Sequence, residues 1–244
     1  MHNYKMVIQY DGTRYSGWQR QGNTSSTIQW KLEQALTRLL GQPTELSGSG
    51  RTDAGVHALG QVANFRAAEF LDCKSFRLRL NEALPEDICV TDLRVAGDRF
   101  HARFSAKEKV YRYTIQNSAN RDVFARKYSY YLPEELDLSA MEETAALLVG
   151  THDFKGFSTG RTKKSTVRHL SEIEVRPEGE KLLITFTGNG FLYNMVRILT
   201  GTLIEAGQGK RTPESVLPVL ETGERTGAGF TAPAQGLCLM EVRY

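Results

Sequence analysis

The sequence predicts an α+β fold built from two tandem β-α-β-β-α-β halves. Three observations carry that prediction. Segments with apolar residues at every second position take turns with segments where they recur every three or four. The order of these segments in residues 1–105 recurs in residues 106–244. The composition, 40% hydrophobic and 24% charged over 244 residues, is that of a globular chain long enough for one large domain or two smaller ones.

Each element has its own signal. Residues 4–10 alternate as a strand. Residues 27–40 place Ile28, Leu32, Leu36 and Leu39 on one helical face, and Gly41 and Pro43 stop that helix. Residues 44–49 and 61–66 read as strands on either side of a Gly-rich turn. A second amphipathic helix over 74–83 ends near Pro85, and 88–95 alternate again. In the second half, 110–116 set Val110, Arg112 and Thr114 against Tyr111, Tyr113 and Ile115. Residues 139–148 read as a helix, 167–175 and 182–187 as a hairpin around Gly179. Residues 192–206 read as a helix and 237–242 as a strand, with a short extra helix near 214–220. This order is that of two ferredoxin-like units, with the boundary near 98–106. No residue-level repeat accompanies it, so an ordinary α+β domain is the alternative.

Charge and cysteine usage remove several classes. The net charge is only +3, so a nucleic-acid partner would require unevenly placed basic residues. Cys73, Cys89 and Cys238 are odd in number and show no C-x-x-C spacing, which argues against a disulfide scaffold or a zinc knuckle. The five histidines include no H-x-x-x-H pair, and no metal is expected. The N-terminus runs straight into strand-like alternation without an apolar leader, and the apolar stretch 191–204 is too short to span a bilayer. A soluble, cytoplasmic protein is the expectation.

Residues 48–58 read Gly-Ser-Gly-Arg-Thr-Asp-Ala-Gly-Val-His-Ala. A P-loop needs Gly-Lys-Ser/Thr after four intervening residues, and this segment has no such Lys. A dinucleotide fingerprint needs Gly where Asp53 stands, and a carboxylate there would repel a pyrophosphate. What remains is one Asp among Gly48, Gly50 and Gly55, with Arg51 two positions earlier. Small residues allow close ligand approach, so Asp53 is a candidate nucleophile or base. The competing reading is a turn residue that bonds its own backbone.

Arg197 is the only charged residue between 191 and 204. A guanidinium among apolar neighbours is rarely left unpaired when buried, since desolvating a charge costs several kcal/mol, and this predicts a carboxylate partner. Asp53 is the candidate partner. The alternative is a stem that snorkels to the surface.

Basic and aromatic residues interleave in three places. Between 94 and 112 lie six Lys or Arg, Arg103, Lys107 and Lys109 among them, with Phe100, His101, Phe104, Tyr111 and Tyr113. Between 155 and 168 lie five, including Arg161, Lys163 and Lys164, and no acid. Near the N-terminus, Arg14 and Arg20 sit with Tyr10, Tyr15 and Trp18. Cations for phosphates and rings for bases suit RNA; solvated faces are the plainer reading of each cluster.

Six blocks in order resemble the tRNA pseudouridine synthase A family across essentially the whole chain. They are Tyr-Asp-Gly-Thr-Arg-Tyr-Ser-Gly-Trp-Gln-Arg-Gln (10–21), Gly-Arg-Thr-Asp-Ala-Gly-Val-His-Ala (50–58), Lys-Val-Tyr-Arg-Tyr (109–113), Thr-His-Asp-Phe (151–154), Gly-Phe-Leu-Tyr-Asn-Met-Val-Arg (190–197) and Thr-Ala-Pro-Ala-Gln-Gly-Leu-Cys-Leu (231–239). The resemblance implies the pseudouridine synthase fold, a mixed and mostly antiparallel sheet with a central cleft. It implies a homodimer that converts uridines 38, 39 and 40 of the tRNA anticodon stem-loop to pseudouridine without metal or organic cofactor. It assigns Asp53 as nucleophile, Tyr111 to the target uracil, Arg197 to Asp53, Arg51 to the flipped base and Leu237 to an apolar wall. Two readings from other classes are an RNA-binding platform without catalysis, for which Lys155-Gly-Phe-Ser is only a fragment of the required motif, and a nucleoside hydrolase.

Overall fold

The structure, a computed structural model, describes residues 1–160 and 163–244. The chain forms two compact units, Met1–Lys107 with Cys238–Tyr244, and Glu108–Leu237.

In the first unit β1 (His2–Tyr10) lies antiparallel between β3 (His57–Ala67) and β4 (Ile88–Ala96). Tyr4, Met6 and Ile8 point to one face and are fully buried, as period-two alternation requires. Helix α1 (Ile28–Leu40) buries Ile28, Leu32 and Leu36, each contributing about 1.5–3 kcal/mol by leaving water. Its N-cap is Thr27, whose side chain accepts from the Trp30 N–H, and it ends on left-handed Gly41. Helix α2 (Cys73–Ala83) starts on Asp72, which accepts from Lys74 N–H.

The expected strand over 44–49 contracts to β2 (Ser47–Gly48), which pairs with β3 at Asn64 and Ala63. The reason is competition from α1 side chains. Thr37 accepts from the Thr44 N–H, Glu33 accepts from the Leu46 N–H, and Gln29 donates to the Leu46 carbonyl. The backbone groups a ladder would use are taken by the helix.

A second difference concerns β10 (Leu237–Arg243). The order of elements in the sequence assigns it to 106–244, yet Cys238 and Leu239 pair parallel with His57 and Ala58 of β3. A parallel partner leaves no local sequence signal.

In the second unit β5 (Glu108–Gln116), β9 (Lys181–Gly188), β8 (Val167–Glu178) and β7 (Gly150–Asp153) pair antiparallel in that order. The hairpin turn between β8 and β9 has Gly179 at φ +59°. Two-residue β6 (Tyr130–Tyr131) runs parallel to the end of β5. Neither β6 nor β7 is visible in the sequence: one is too short for a period, and Thr151-His152-Asp153 is polar throughout. Helix α3 (Leu138–Leu148) is capped by Asp137 and packs on β8 and on α4 (Met195–Gly207). The extra helix appears as a 3-10 turn over Pro213–Val216 followed by α5 (Leu217–Thr222). No helix among the described residues is long and apolar enough to cross a membrane.

Candidate active site

The loop that carries Asp53 is fixed on both sides. Before it, Ser49 donates its N–H to Val62 and its hydroxyl to Gln61, and Gln61 donates back to the Gly50 carbonyl. Ser49 and Gln61 are both fully buried. Thr52 accepts from the Trp18 N–H at 3.0 Å, and its hydroxyl lies 2.8 Å from the Tyr10 phenol. After it, the Val56 N–H closes a turn on the Asp53 carbonyl at 3.1 Å, and Gly12 N–H donates to His57 Nδ1. Asp53 sits between these restraints, half-buried.

The glycines of this loop have internal reasons. A Cβ on Gly48 would stand 2.5 Å from Trp18 Nε1, and Gly55 has φ +79°. Those two serve packing and turning, so close ligand approach does not explain them. Burial raises the Tyr10 phenol well above its ordinary range, so Tyr10 acts as a neutral hydrogen-bonding group.

In the second unit the Thr231–Leu237 stretch is held by two side chains. Arg197 Nε donates to the Ala232 carbonyl at 2.7 Å, and Ala232 N–H donates to the Arg197 carbonyl at 3.1 Å. The Tyr113 hydroxyl donates to the Pro233 carbonyl at 2.8 Å. Gly236 lies flat on that ring, where a Cβ would approach Cζ to 2.5 Å. Burial raises the Tyr113 phenol, and the positive charge of Arg197 opposes that shift. Leu237 follows directly and is buried.

Tyr111 lies two residues before Tyr113 on β5, hence on the same face. It is 7% exposed, and its ring meets Phe191 edge-on at 5.1 Å. The first turn of α4 presents Arg197 half-buried, with Nη1 donating to Asn194 Oδ1 at 3.0 Å.

The predicted residues therefore fall into two groups. Asp53 and Arg51 belong to the first unit; Arg51 is exposed, with Nε 3.2 Å from Gln19 Oε1. Tyr111, Arg197 and Leu237 belong to the second, where Arg197 and Tyr113 grip one segment. Arg14 is exposed but engaged: its guanidinium meets Asp87 at 2.6 Å, which raises its already high pKa further. Arg103, Lys107, Lys163 and Lys164 are exposed, and Lys109 is half-buried on β5. Arg161 lies outside the described residues.

Sequence reading places Tyr113 only among the rings of a basic-aromatic cluster and assigns no role to Asn194. The signal for Tyr113 is its position two residues from Tyr111. Asn194 offers only an amide before an apolar helix.

The helix expected over 192–206 begins at Met195. Asn194 adopts φ +60°, the only non-glycine with positive φ among the described residues, and this breaks helical geometry before it.

A family model described as tRNA pseudouridine synthase matches residues 6–105 and 144–244, and Tyr111 lies between the two matched stretches. Full-length relatives cover that gap. The chain is 47% identical over 245 residues to a tRNA pseudouridine synthase A of Bacillus sp. (strain KSM-64), with 100% of both chains covered. It is 48% identical to that of Geotalea uraniireducens (strain Rf4), again with 100% of both covered. It is 42% identical to a protein named tRNA pseudouridine synthase A 2 from Clostridium perfringens, with the same full coverage.

Proposed function

The chain belongs to the tRNA pseudouridine synthase family, and from that premise we propose that it isomerises uridines 38, 39 and 40 of the tRNA anticodon stem-loop with Asp53 as nucleophile. The reaction breaks N1–C1′, turns the uracil and forms C5–C1′. The C5 proton is lost and N1 gains one, so no atom or electron is supplied from outside. Attack at uracil C6 and attack at ribose C1′ both return the Asp53 carboxylate at the end of the cycle.

The observation that carries this reading is the loop itself. Buried bonds at Thr52 and Ser49 and the Val56 turn fix the backbone around a half-buried carboxylate. A nucleophile held by its scaffold needs little reorganisation to attack. Arg197 provides the cation that keeps Asp53 ionised, which fits a guanidinium whose plane is set by Ala232 and Asn194.

A base inside a stem must be flipped out, at a cost of a few kcal/mol. Tyr111 contacts the flipped uracil and takes the C5 proton, Leu237 walls the pocket, and Arg51 fills the space left in the stem. Arg14, Arg103, Lys107, Lys109, Arg161, Lys163 and Lys164 contact the phosphates. The enzyme acts as a homodimer in the cytoplasm.

The test uses tRNA tritiated at uracil C5. The parent protein releases tritium, and Asp53→Asn releases none while still binding tRNA. Undiminished release by Asp53→Asn overturns the nucleophile assignment. Binding without release by the parent, on a validated substrate tRNA, favours an RNA-binding role.

A further inference from the structure

Asn194 stands where a helix cap is expected, directly before Met195 of α4. Its backbone carbonyl takes part as usual, accepting from the Ile198 N–H at 3.0 Å. Its side chain makes no capping bond to the helix, although Asn is among the best residues for that task. The backbone is left-handed, at φ +60° and ψ 3°. Glycine would adopt this conformation with less strain. Two local preferences are thus given up at one position.

Both are explained by where the amide goes. Oδ1 accepts from Arg197 Nη1 at 3.0 Å, and Nδ2 donates to Thr159 Oγ1 at 2.8 Å. A second bond runs beside it, from Ser158 Oγ to the Tyr193 carbonyl at 3.0 Å. Arg197 Nε is fixed separately on Ala232. With Nε and Nη1 both engaged, the planar guanidinium has one orientation. The residues whose side chains do cap α-helices here, Thr27, Asp72 and Asp137, are all extended, and Asn194 is not.

We propose that Asn194 is a positioning residue, which gives up its helix cap to orient the Arg197 guanidinium and tie it to Thr159. The proposal rests on the reading of Arg197 as the cation that serves Asp53. Asn194 touches no reacting atom; it acts through Arg197.

The test compares Asn194→Gly, Thr159→Val and Arg197→Met in the tritium-release assay, with KM for tRNA and Tm measured on each. Asn194→Gly changes Tm little, because the ease with which glycine adopts the left-handed backbone offsets the two lost amide bonds. It lowers kcat about 10- to 100-fold, the scale of a small misplacement in an active site. KM for tRNA stays within about threefold, since binding elsewhere is untouched. Thr159→Val gives a smaller fall in kcat of the same kind.

Parent-like kcat in Asn194→Gly, with Arg197→Met inactive, overturns this proposal and leaves the Arg197 reading standing. Parent-like kcat in both overturns the Arg197 reading as well. A Tm loss in Asn194→Gly that accounts for its kcat loss assigns Asn194 a structural role and overturns the proposal. Parent-like kcat in Thr159→Val overturns the tie to Thr159.

Discussion

The loop around Asp53 and the segment around Arg197 are rigid for opposite reasons. Around Asp53 the restraints come from other residues: Ser49 on Gln61, Thr52 on Tyr10 and Trp18, and a backbone turn at Val56. Around Arg197 the candidate side chain is itself a restraint, holding Ala232 through Nε. In the first arrangement the backbone of the loop is fixed by residues other than the candidate nucleophile. In the second the candidate residue does the fixing, so substitution there is felt in both activity and stability.

The largest expected effect sharpens this contrast. Asp53→Asn lowers tritium release by about four orders of magnitude or more, the scale seen when one member of a catalytic unit is removed. Its Tm falls less than that of Arg197→Met, because the bonds that fix the loop at Ser49, Thr52 and Val56 persist. A large Tm loss breaks the contrast. Arg197→Met loses activity too, but also destabilises by about 2–3 kcal/mol, as expected for losing charge-assisted hydrogen bonds to Ala232 and Asn194. Chemical denaturation measures it, and an unchanged midpoint refutes the clamp.

Alkaline pH probes both regions. Burial raises the phenols of Tyr10 and Tyr113. In the unfolded chain they ionise near pH ~10. Below that pH both states are protonated, and their contribution is fully present. Above it the unfolded state releases protons that the folded state retains. Stability then falls by about 1.4 kcal/mol per pH unit for each such phenol, until the folded group ionises. Tyr113→Phe flattens that fall and, at neutral pH, costs about 1 kcal/mol through the lost bond to Pro233. A denaturation series from about pH 8 upward in ~1-unit steps reads both effects. An unaltered alkaline slope in Tyr113→Phe contradicts the assignment.

The smallest effect is at Arg14. Its pairing with Asp87 is solvent-exposed on the Arg14 side, so Arg14→Gln leaves Tm unchanged. If Arg14 reaches a phosphate, the same substitution reduces the salt slope of tRNA binding by about 1. An unchanged slope removes Arg14 from the RNA contacts.

Much of the fold, and the residues of the candidate site, are legible in the sequence alone. Tyr4, Met6 and Ile8 announce β1 by alternation, and Thr27 and Gly41 bracket α1 by their capping chemistry. Asp53 stands out because it occupies a position where a phosphate-binding loop has glycine, and Arg197 because it is the single charge in an apolar stretch. The features that are not legible depend on contacts far along the chain. Glu33 and Gln29 pre-empt the backbone of residue 46, and no local pattern reveals it. Tyr113 finds Pro233 across 120 positions. The left-handed turn at Asn194 accompanies an amide bond to Thr159, 35 positions away.

The parallel pairing of β10 with β3 has a consequence for synthesis. Residues 57–58 leave the ribosome long before their partners at 238–239. The whole of Glu108–Leu237 is made in between, 130 residues in all. At ordinary elongation rates that is a wait on the order of 10 s. During it the start of β3 presents an unpaired edge, with Gly60 bare where the Met240 carbonyl will later approach. The nascent first unit is therefore an incomplete sheet throughout synthesis of the second. A chaperone, or a permuted chain in which residues 238–244 are synthesised first, shields the part of the protein most open to mispairing.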